Sequence, residues 1–360
     1  MIGPSWDRRP QGALPGARAE TAERRGWGLA AATSIGLVAV LLTGCSGEAS
    51  ILEPRSEAGE RVERLWWLTF WTSVVAVVFV VAFVLRAVQR GRRPPPEGDE
   101  DAIDKRPVPW GERFIVVAGL VVSGVILAGF FAYSLAELNA LAEPPDEPTM
   151  EIEVVGRNWW WEARYPNGAV TANEIHIPVG QAVEVKLSTA DVIHSFWVPQ
   201  LNVKQDQVPG MDNRLWLQAD EPGRYRGQCT EYCGLQHARM VFYVEAQPPA
   251  EFERWLASQA APAQEPTTAP ARAGRDLFLA SSCAGCHAVR GTTAAGNLGP
   301  DLTHLASRQT IGAGLLRLNR DNLADFVLNA QNAKPGASMP PTEIAPDELS
   351  ALVDYLMTLE

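Results

Sequence analysis

The stretch Cys229-Thr-Glu-Tyr-Cys-Gly-Leu-Gln-His-Ala-Arg-Met240 gathers two thiols, an imidazole and a thioether in one short loop. These soft ligands suit copper, whereas magnesium and calcium prefer carboxylates and carbonyls. Because β-type runs precede and follow the loop, the sequence predicts a copper site at one end of a β domain. A second imidazole must come from elsewhere, and His194 in an upstream β-type run is the candidate.

The presence of two cysteines, Cys229 and Cys233, favours an electron-transfer centre. Bridging thiolates can hold two copper ions as a delocalised pair, so that little reorganises when an electron arrives. A structural disulfide and a tetrahedral zinc site are the alternatives. A zinc site would not call for Met240, and a disulfide would not call for His237 and His194.

Short β-type runs surround this loop from residue 151 onward, punctuated by Gly, Pro, Asn and Asp. Many short strands at such spacing indicate a small antiparallel sandwich or barrel. The runs are Glu151 to Val155, Trp159 to Tyr165, Ala182 to Leu187, Ile193 to Val198, Arg214 to Leu217 and Val241 to Glu245.

A second motif, Cys283-Ala-Gly-Cys-His287, follows an Ala/Pro-rich linker at about Ala260 to Ala271. Two thiols at this spacing can form thioether bonds to a haem, while the adjacent imidazole ligates its iron. A thioredoxin-like redox pair is the alternative, but it lacks the following histidine and expects a βαβ context. Helical periodicity covers Ala271 to Ser281, Arg320 to Ala330 and Pro346 to Leu359.

The second axial ligand of this haem is expected downstream. Met339, in Ser338-Met-Pro-Pro341, offers a thioether in a loop after a helix. Met357 lies in the terminal apolar helix, where core packing accounts for it. His304 is a rival ligand, and His176 is interpreted as a sheet-surface or turn residue without metal.

Two apolar runs, Leu65 to Leu85 and Phe114 to Leu135, each have the roughly 20 residues that a membrane-crossing helix needs. The loop between them carries a cluster of basic residues, so it is predicted to be cytoplasmic, with both ends of the hairpin outside. Leu42-Thr-Gly-Cys45, after an apolar run, resembles a bacterial lipoprotein signal, which implies cleavage before Cys45 and its lipidation. The alternative is an uncleaved first transmembrane helix.

The net charge of −11 argues against a nucleic-acid partner and favours a basic protein partner. The five cysteines include two close pairs, both in the half without apolar runs, which favours cofactor binding over loop-closing disulfides.

From about Leu65 to Glu245 the chain resembles subunit 2 of cytochrome c oxidase. The resemblance implies a cupredoxin-like domain with a dinuclear copper centre (CuA), in which Glu231 ligates through its backbone carbonyl and reaches a magnesium ion shared with subunit 1 through its carboxylate. The implied copper ligands are His194, Cys229, Glu231, Cys233, His237 and Met240.

The same resemblance assigns roles to three further residues. Trp159, first in Trp159-Trp-Trp161, takes the place at which electrons enter, although such a run also packs a core. Asp206 corresponds to an aspartate near the copper and subunit interface, or is an ordinary turn carboxylate. Glu112 corresponds to a glutamate at the mouth of a proton pathway, or is a snorkelling carboxylate at a helix start.

With its second motif, the chain resembles the oxidases whose subunit 2 is fused to a cytochrome c domain. That implies a multidomain membrane protein: a signal peptide at residues 1–44, a transmembrane hairpin at 45–143, a cupredoxin-like CuA domain at 144–248, a linker at 249–270 and an all-α class I cytochrome c domain at 271–360. The implied haem c ligands are Cys283, Cys286, His287 and Met339. The Asn297-Leu-Gly-Pro300 segment resembles one whose proline carbonyl bonds the proximal imidazole.

The implied function is to pass electrons from cytochrome c, or a quinol–cytochrome c reductase, through haem c and CuA to the catalytic subunit of a proton-translocating terminal oxidase. The expected partners are oxidase subunits 1 and 3, in a bacterial plasma membrane with both redox domains outside. A CuA-containing nitric oxide reductase subunit and a copper-handling lipoprotein are the alternatives. Quinol oxidase subunits lack the copper ligands that this chain has.

Overall fold

The computed structural model describes residues 47–91 and 109–360. The expected signal peptide, Cys45 and most of the basic loop lie outside the described residues. All the elements below belong to one compact unit that runs from Glu48 to Glu360.

The first two long helical segments are apolar along most of their length. Helix α1 spans Glu57–Gly91, and the second segment consists of α2 (Pro109–Phe114), a π-helical stretch (Ile115–Val122) and α3 (Ser123–Ala142). Glu57–Arg90 and Val116–Ala142 are long and apolar enough to cross a membrane. Both helical segments extend beyond the predicted apolar runs at both ends, because polar residues continue them. Arg61 of α1, for example, lies 3.1 Å from the Glu137 carboxylate of α3.

A sandwich of two five-stranded sheets follows. One sheet has the order β3-β2-β1-β5-β8 and the other β4-β10-β9-β6-β7. The β1–β5 and β4–β10 pairs are parallel and the remaining pairs are antiparallel. The sequence predicts an antiparallel sandwich, and these two parallel pairs depart from that prediction. The strands are β1 Glu151–Arg157, β2 Trp160–Arg164, β3 Val170–Ala172, β4 Glu174–Pro178, β5 Val183–Thr189, β6 His194–Trp197, β7 Gln205–Gln207, β8 Asn213–Leu217, β9 Gly223–Cys229 and β10 Val241–Gln247.

The six expected β-type runs are all strands, whereas β3, β4, β7 and β9 are additional. The sequence pattern does not predict these four strands because they are short or polar. For example, β9 reads Gly-Arg-Tyr-Arg-Gly-Gln-Cys and has no β-branched residue. The sandwich core contains an aromatic cluster in which Phe242 lies 4.4 Å from Phe196 and 5.1 Å from Trp161 between ring centroids. This cluster lies beneath the loop that follows β9.

The segment expected as a linker at residues 249–270 begins with a helix, α4 (Pro249–Ala260), which is a correction. Phe252 of α4 belongs to the sandwich core, and Trp255 stacks on His176 with ring centroids 3.8 Å apart. His176 is therefore a partly buried strand residue rather than a surface or turn residue. Extended chain between Ala260 and Ala269 makes the actual connection.

The C-terminal region is helical, as predicted. Helices α5 (Ala269–Ala280) and α8 (Pro346–Leu356) cross so closely at Gly274 that a Cβ there would lie 1.9 Å from the carbonyl oxygen of Ala351. Only glycine permits this contact. Helices α6 (Cys283–Cys286) and α7 (Arg320–Leu328) and a small hairpin, β11 (Thr310–Ile311) and β12 (Leu316–Arg317), complete the domain.

Candidate copper and haem sites

Four predicted copper ligands converge where β6 and β9 meet. Cys229 ends β9, and its Sγ lies 3.7 Å from Sγ of Cys233. Nδ1 of His194, the first residue of β6, lies 3.9 Å from Sγ of Cys229, and Nδ1 of His237 lies 3.7 Å from Sγ of Cys233. Each sulfur therefore has an imidazole nitrogen beside it.

The remaining two predicted ligands close the same group. Sδ of Met240 lies 3.8 Å from Sγ of Cys233, and the carbonyl oxygen of Glu231 lies 3.2 Å from Sγ of Cys229. A backbone hydrogen bond joins the two ends of this loop, since the Cys229 amide donates to the Met240 carbonyl oxygen at 3.0 Å. All six sequence-predicted ligands are thus brought together by one loop and one neighbouring strand.

These distances fit bound metal better than a disulfide. Both cysteines are free, and 3.7 Å is far longer than the roughly 2.05 Å of a disulfide bond. Two thiolates bound to one metal at about 2.3 Å each, in tetrahedral geometry, lie about 3.8 Å apart. The hydrogen bond between the two sulfurs lowers the pKa of Cys229 and raises that of Cys233, so Cys229 is the thiol that ionises first.

Asp191, a residue that sequence reasoning missed, orients the His194 ligand. Its carboxylate lies 2.7 Å from Nε2 of His194, the nitrogen that faces away from the sulfurs, and also accepts from the amides of Val192 and Asn158 at 2.7 Å each. Partial burial opposes ionisation of Asp191, but these hydrogen bonds outweigh it and lower its pKa. A carboxylate in this place holds the ring with Nδ1 free for metal.

The predicted proximal haem ligand is held in a similar way. Nδ1 of His287 donates to the carbonyl oxygen of Pro300 at 2.8 Å, which leaves Nε2 free to bind iron. Burial lowers the pKa of His287, so the ring is neutral at pH 7, as a metal ligand must be. Cys283 and Cys286 are free thiols at the two ends of α6.

A cavity of about 360 Å³ opens beside this imidazole and is lined by both His287 and Met339. Gly299 forms part of its wall, where a Cβ would lie 2.4 Å from the His287 ring. Free thiols, an imidazole and a thioether around an apolar cavity fit a haem. The apolar lining comprises Leu302, Leu305, Leu323, Phe326, Val327 and Leu356.

The rival axial ligands are placed elsewhere. His304 lies with Nδ1 2.6 Å from the carbonyl oxygen of Glu360 and Nε2 3.0 Å from that of Ala261, so neither nitrogen faces the cavity. Met357 is partly buried against the helical core at the end of α8. Neither residue lines the cavity, which favours Met339.

Two family models match the regions that contain the two sites. A family model described as cytochrome c oxidase subunit II, periplasmic domain, matches residues 169–247, and one described as cytochrome c matches residues 271–360. Cytochrome c oxidase subunit 2 of Alkalihalophilus pseudofirmus is 34% identical over 337 residues, which cover 91% of this chain and 96% of that protein. The chain belongs to the cytochrome c oxidase subunit 2 family.

A second curated relative matches over a similar length, and a solved domain matches over about a third of the chain. Cytochrome c oxidase subunit 2 of a Bacillus species is 29% identical over 346 residues, covering 90% of this chain and 96% of that protein. The solved periplasmic domain of cytochrome oxidase subunit II of Bradyrhizobium japonicum is 30% identical and covers 32% of this chain and 95% of its own, with a TM-score of 0.31.

As a cytochrome c oxidase subunit 2, the chain is part of an oxidoreductase complex and works with the catalytic oxidase subunits. Its periplasmic-type domain implies a CuA centre, and its cytochrome c domain implies a haem. The two apolar helices and that periplasmic-type domain indicate a membrane anchor with this domain on the outer side. The predicted fold class is confirmed.

Within this oxidase subunit, Trp159 lies between the two sites. Its indole Nε1 donates to the carbonyl oxygen of Cys233 at 2.8 Å, and both Trp159 and Trp160 line the haem cavity. Trp161, by contrast, is fully buried in the sandwich core. Trp161 therefore packs the core, and the electron-entry role of Trp159 stays a prediction.

The two tentative carboxylates are less informative. Asp206 pairs in register with Ser195, the neighbour of His194, and its carboxylate lies 3.2 Å from Nζ of Lys204 on the surface. Glu112 belongs to α2, but its side chain lies outside those that the structure describes. Both roles remain predictions.

Proposed function

We propose that this chain is the subunit through which electrons enter a proton-translocating terminal oxidase. Electrons from cytochrome c or a quinol–cytochrome c reductase reach covalent haem c, pass to the dinuclear CuA centre and continue to the catalytic subunit, where oxygen is reduced. Haem c supplies a one-electron carrier, and CuA supplies a second with little reorganisation. The protein's part is to hold both centres and the path between them.

Trp159 is the observation that carries this proposal. It is the side chain that both lines the haem cavity and bonds the backbone of a copper ligand, Cys233, at 2.8 Å. A haem held by Cys283, Cys286, His287 and Met339 would lie against this ring. With the helical domain covering Trp159, a soluble donor would dock on the cytochrome domain.

The groups that hold the ligand imidazoles in place favour permanent redox centres over a site for exchangeable metal. Asp191 and the Pro300 carbonyl each fix one imidazole, of His194 and His287 respectively, in a single orientation. Such supports reduce the movement of ligands when an electron arrives and strengthen metal binding. A copper-delivery protein needs the opposite, because its metal must leave.

We further propose the finer assignments that the family resemblance implies. The Glu231 carboxylate would bind a magnesium ion shared with subunit 1, and subunit 3 would complete the assembly. The two apolar helices would cross the bacterial plasma membrane as a hairpin, with Cys45 as a lipid anchor. Asp206 would lie at the interface with the catalytic subunit, and Glu112 near proton uptake.

Rapid reduction of the loaded full-length chain in detergent tests the main proposal. Half an equivalent of a small reductant is mixed with the chain, and the haem and copper absorption bands are followed in time. We expect the haem band to appear first and then to decay as the copper band bleaches, whereas a Cys233→Ser chain keeps its electron on the haem. A haem that stays reduced beside oxidised copper in the wild-type chain contradicts the proposal.

A further inference from the structure

The loop that carries Met339 is hydrogen-bonded to the loop that carries the copper ligands. Nε2 of Gln236 donates to the carbonyl oxygen of Pro335 at 2.7 Å, and the Arg239 guanidinium donates to that of Ala333 at 3.1 Å. In the copper-ligand loop, Gln236 and Arg239 lie close to the ligand His237 in the sequence. In the other loop, Ala333 and Pro335 precede Met339. The two ligand loops therefore form one bonded unit across the domain boundary.

Lys334 extends from the helical domain into the copper domain. It is only 5% exposed, and its Nζ donates to the carbonyl oxygens of Trp159 at 2.7 Å and Arg239 at 3.1 Å. Burial lowers the pKa of Lys334 to about 8, so the side chain still carries its charge at neutral pH. The buried ammonium group of Lys334, a residue of the helical domain, is thus hydrogen-bonded by backbone carbonyls of the copper domain.

Glu174 makes the reverse connection from the copper domain. It lies on β4, is 2% exposed, and its carboxylate accepts from the amide of Gln309 and from both the amide and hydroxyl of Thr310 at 2.8–3.1 Å. Within its own domain, Arg224 lies 3.3 Å away. Lys334 and Glu174 therefore form a reciprocal pair of buried charges, each received by backbone groups of the opposite domain.

We propose that Lys334 and Glu174 are positioning residues that hold the helical domain against the copper domain in one orientation, with the haem cavity against Trp159. This inference rests on the proposed function, because it concerns the geometry of electron transfer between the two centres.

The physical reason is the cost of leaving a buried charge unpaired. An orientation that separated Lys334 from its two carbonyls would leave its charge buried without a partner or require it to be rehydrated, and one that separated Glu174 from Gln309 and Thr310 would leave its carboxylate with Arg224 alone. Apolar contact alone would tolerate sliding between the domains. Two charged contacts on different elements, β4 and the loop before Met339, restrict both sliding and rotation.

The test uses the full-length chain and the variants Lys334→Met and Glu174→Gln. Lys186→Met is the matched control, because Lys186 pairs with Asp212 at 3.1 Å within the copper domain. In the loaded chain, amide hydrogen exchange is measured at Gln309 and Thr310. Lys334 bonds neither of these residues, so a change there in Lys334→Met reports the docking of the domains.

We expect exchange at Gln309 and Thr310 to become at least about tenfold faster in Lys334→Met, and unchanged in Lys186→Met. In the loaded chain, electron transfer from haem to copper after flash reduction should slow at least about tenfold, because small displacements of redox partners are costly. Haem and copper spectra should stay as in the wild type. Glu174→Gln should show the same slowing of transfer.

Wild-type exchange and wild-type transfer in Lys334→Met would overturn the inference. Loss of either cofactor's spectrum in that variant would also overturn it, since Lys334 would then support a ligand site rather than the docking. Absence of transfer in the wild-type chain itself would contradict the proposed function instead, and the exchange measurement would still decide whether the two residues fix the domains.

Discussion

Replacing Asp191 with asparagine should weaken copper binding while leaving the fold in place. The carboxylate accepts three hydrogen bonds, from His194 Nε2 and from the amides of Val192 and Asn158, all at 2.7 Å. Asparagine keeps one acceptor oxygen and loses the charge. Its amide nitrogen then faces a donor, so at least one of the three bonds is lost and the His194 ring is less firmly held.

The expected size of this effect follows from two independent considerations. A hydrogen bond to a charged group contributes about 1.5–3 kcal/mol. Loss of a residue that supports a metal-bound histidine typically reduces metal affinity about 10–100-fold, or about 1.4–2.7 kcal/mol. Because the Asp191 side chain is 29% exposed, water replaces part of the interaction, and we expect the lower end, about tenfold.

Chelator competition measures this difference, with the copper absorption band as the readout. Asp212→Asn is the control, because that carboxylate is 59% exposed and pairs with Lys186 on the surface. Its copper affinity should match the wild type. An Asp191→Asn chain within twofold of the wild type would refute the argument that Asp191 orients a ligand.

The remaining predictions concern ligand loss and acid stability. Cys233→Ser should abolish the copper spectrum and keep the haem, and Cys286→Ala should impair haem attachment and keep the copper, as optical spectra and metal analysis will show. Met339→Ala should convert the haem to a high-spin form with a lower potential, whereas His304→Gln should leave the haem spectrum unchanged. Burial lowers the pKa of His176 to about 4 from an ordinary 6.5, so the folded state binds fewer protons than the unfolded state. This depressed pKa contributes about 3 kcal/mol to the free energy of unfolding, which is fully present above pH 6.5 and is lost as the pH falls towards 4. The urea midpoint should therefore differ less between pH 7 and pH 4.5 in His176→Gln than in the wild type.

Each of these predictions has a result that contradicts it. Loss of both cofactors in either cysteine variant would mean that the two sites do not form independently. A high-spin haem in His304→Gln with a normal one in Met339→Ala would exchange the two ligand assignments. An unchanged pH dependence in His176→Gln would mean that another group governs the acid stability of the sandwich.

Most of the predicted ligands are local in sequence. Four predicted copper ligands lie between Cys229 and Met240, and three predicted haem ligands lie between Cys283 and His287, so their spacing indicates the chemistry, whereas Glu231 comes from the family resemblance. Only His194 and Met339 had to be chosen from rivals. The structure places both with the expected partners.

The supporting residues were not predictable, because they carry no motif. Lys334 and Glu174 read as ordinary surface charges, since Trp159 and Thr310, which they bond, lie 175 and 136 residues away in the sequence. Asp191 lies only three residues from His194 but reads as a turn residue. Only the folded chain brings these groups together.

Two elements show how composition misled the fold prediction. β9 lacks β-branched residues and is stabilised by pairing with β10 and β6. Helix α4 begins in a Pro- and Ala-rich stretch that resembles a linker. The spacing of Phe252, Trp255 and Leu256 is the helical signal that would have revealed it.

Metal analysis and paramagnetic resonance of the purified, loaded full-length chain test the central claim most directly. The account predicts one low-spin haem c and two copper ions per chain, with the hyperfine pattern of an unpaired electron shared equally between two copper nuclei. Haem without copper, or one ordinary mononuclear copper, would contradict the claim that this chain carries both redox centres of an oxidase subunit.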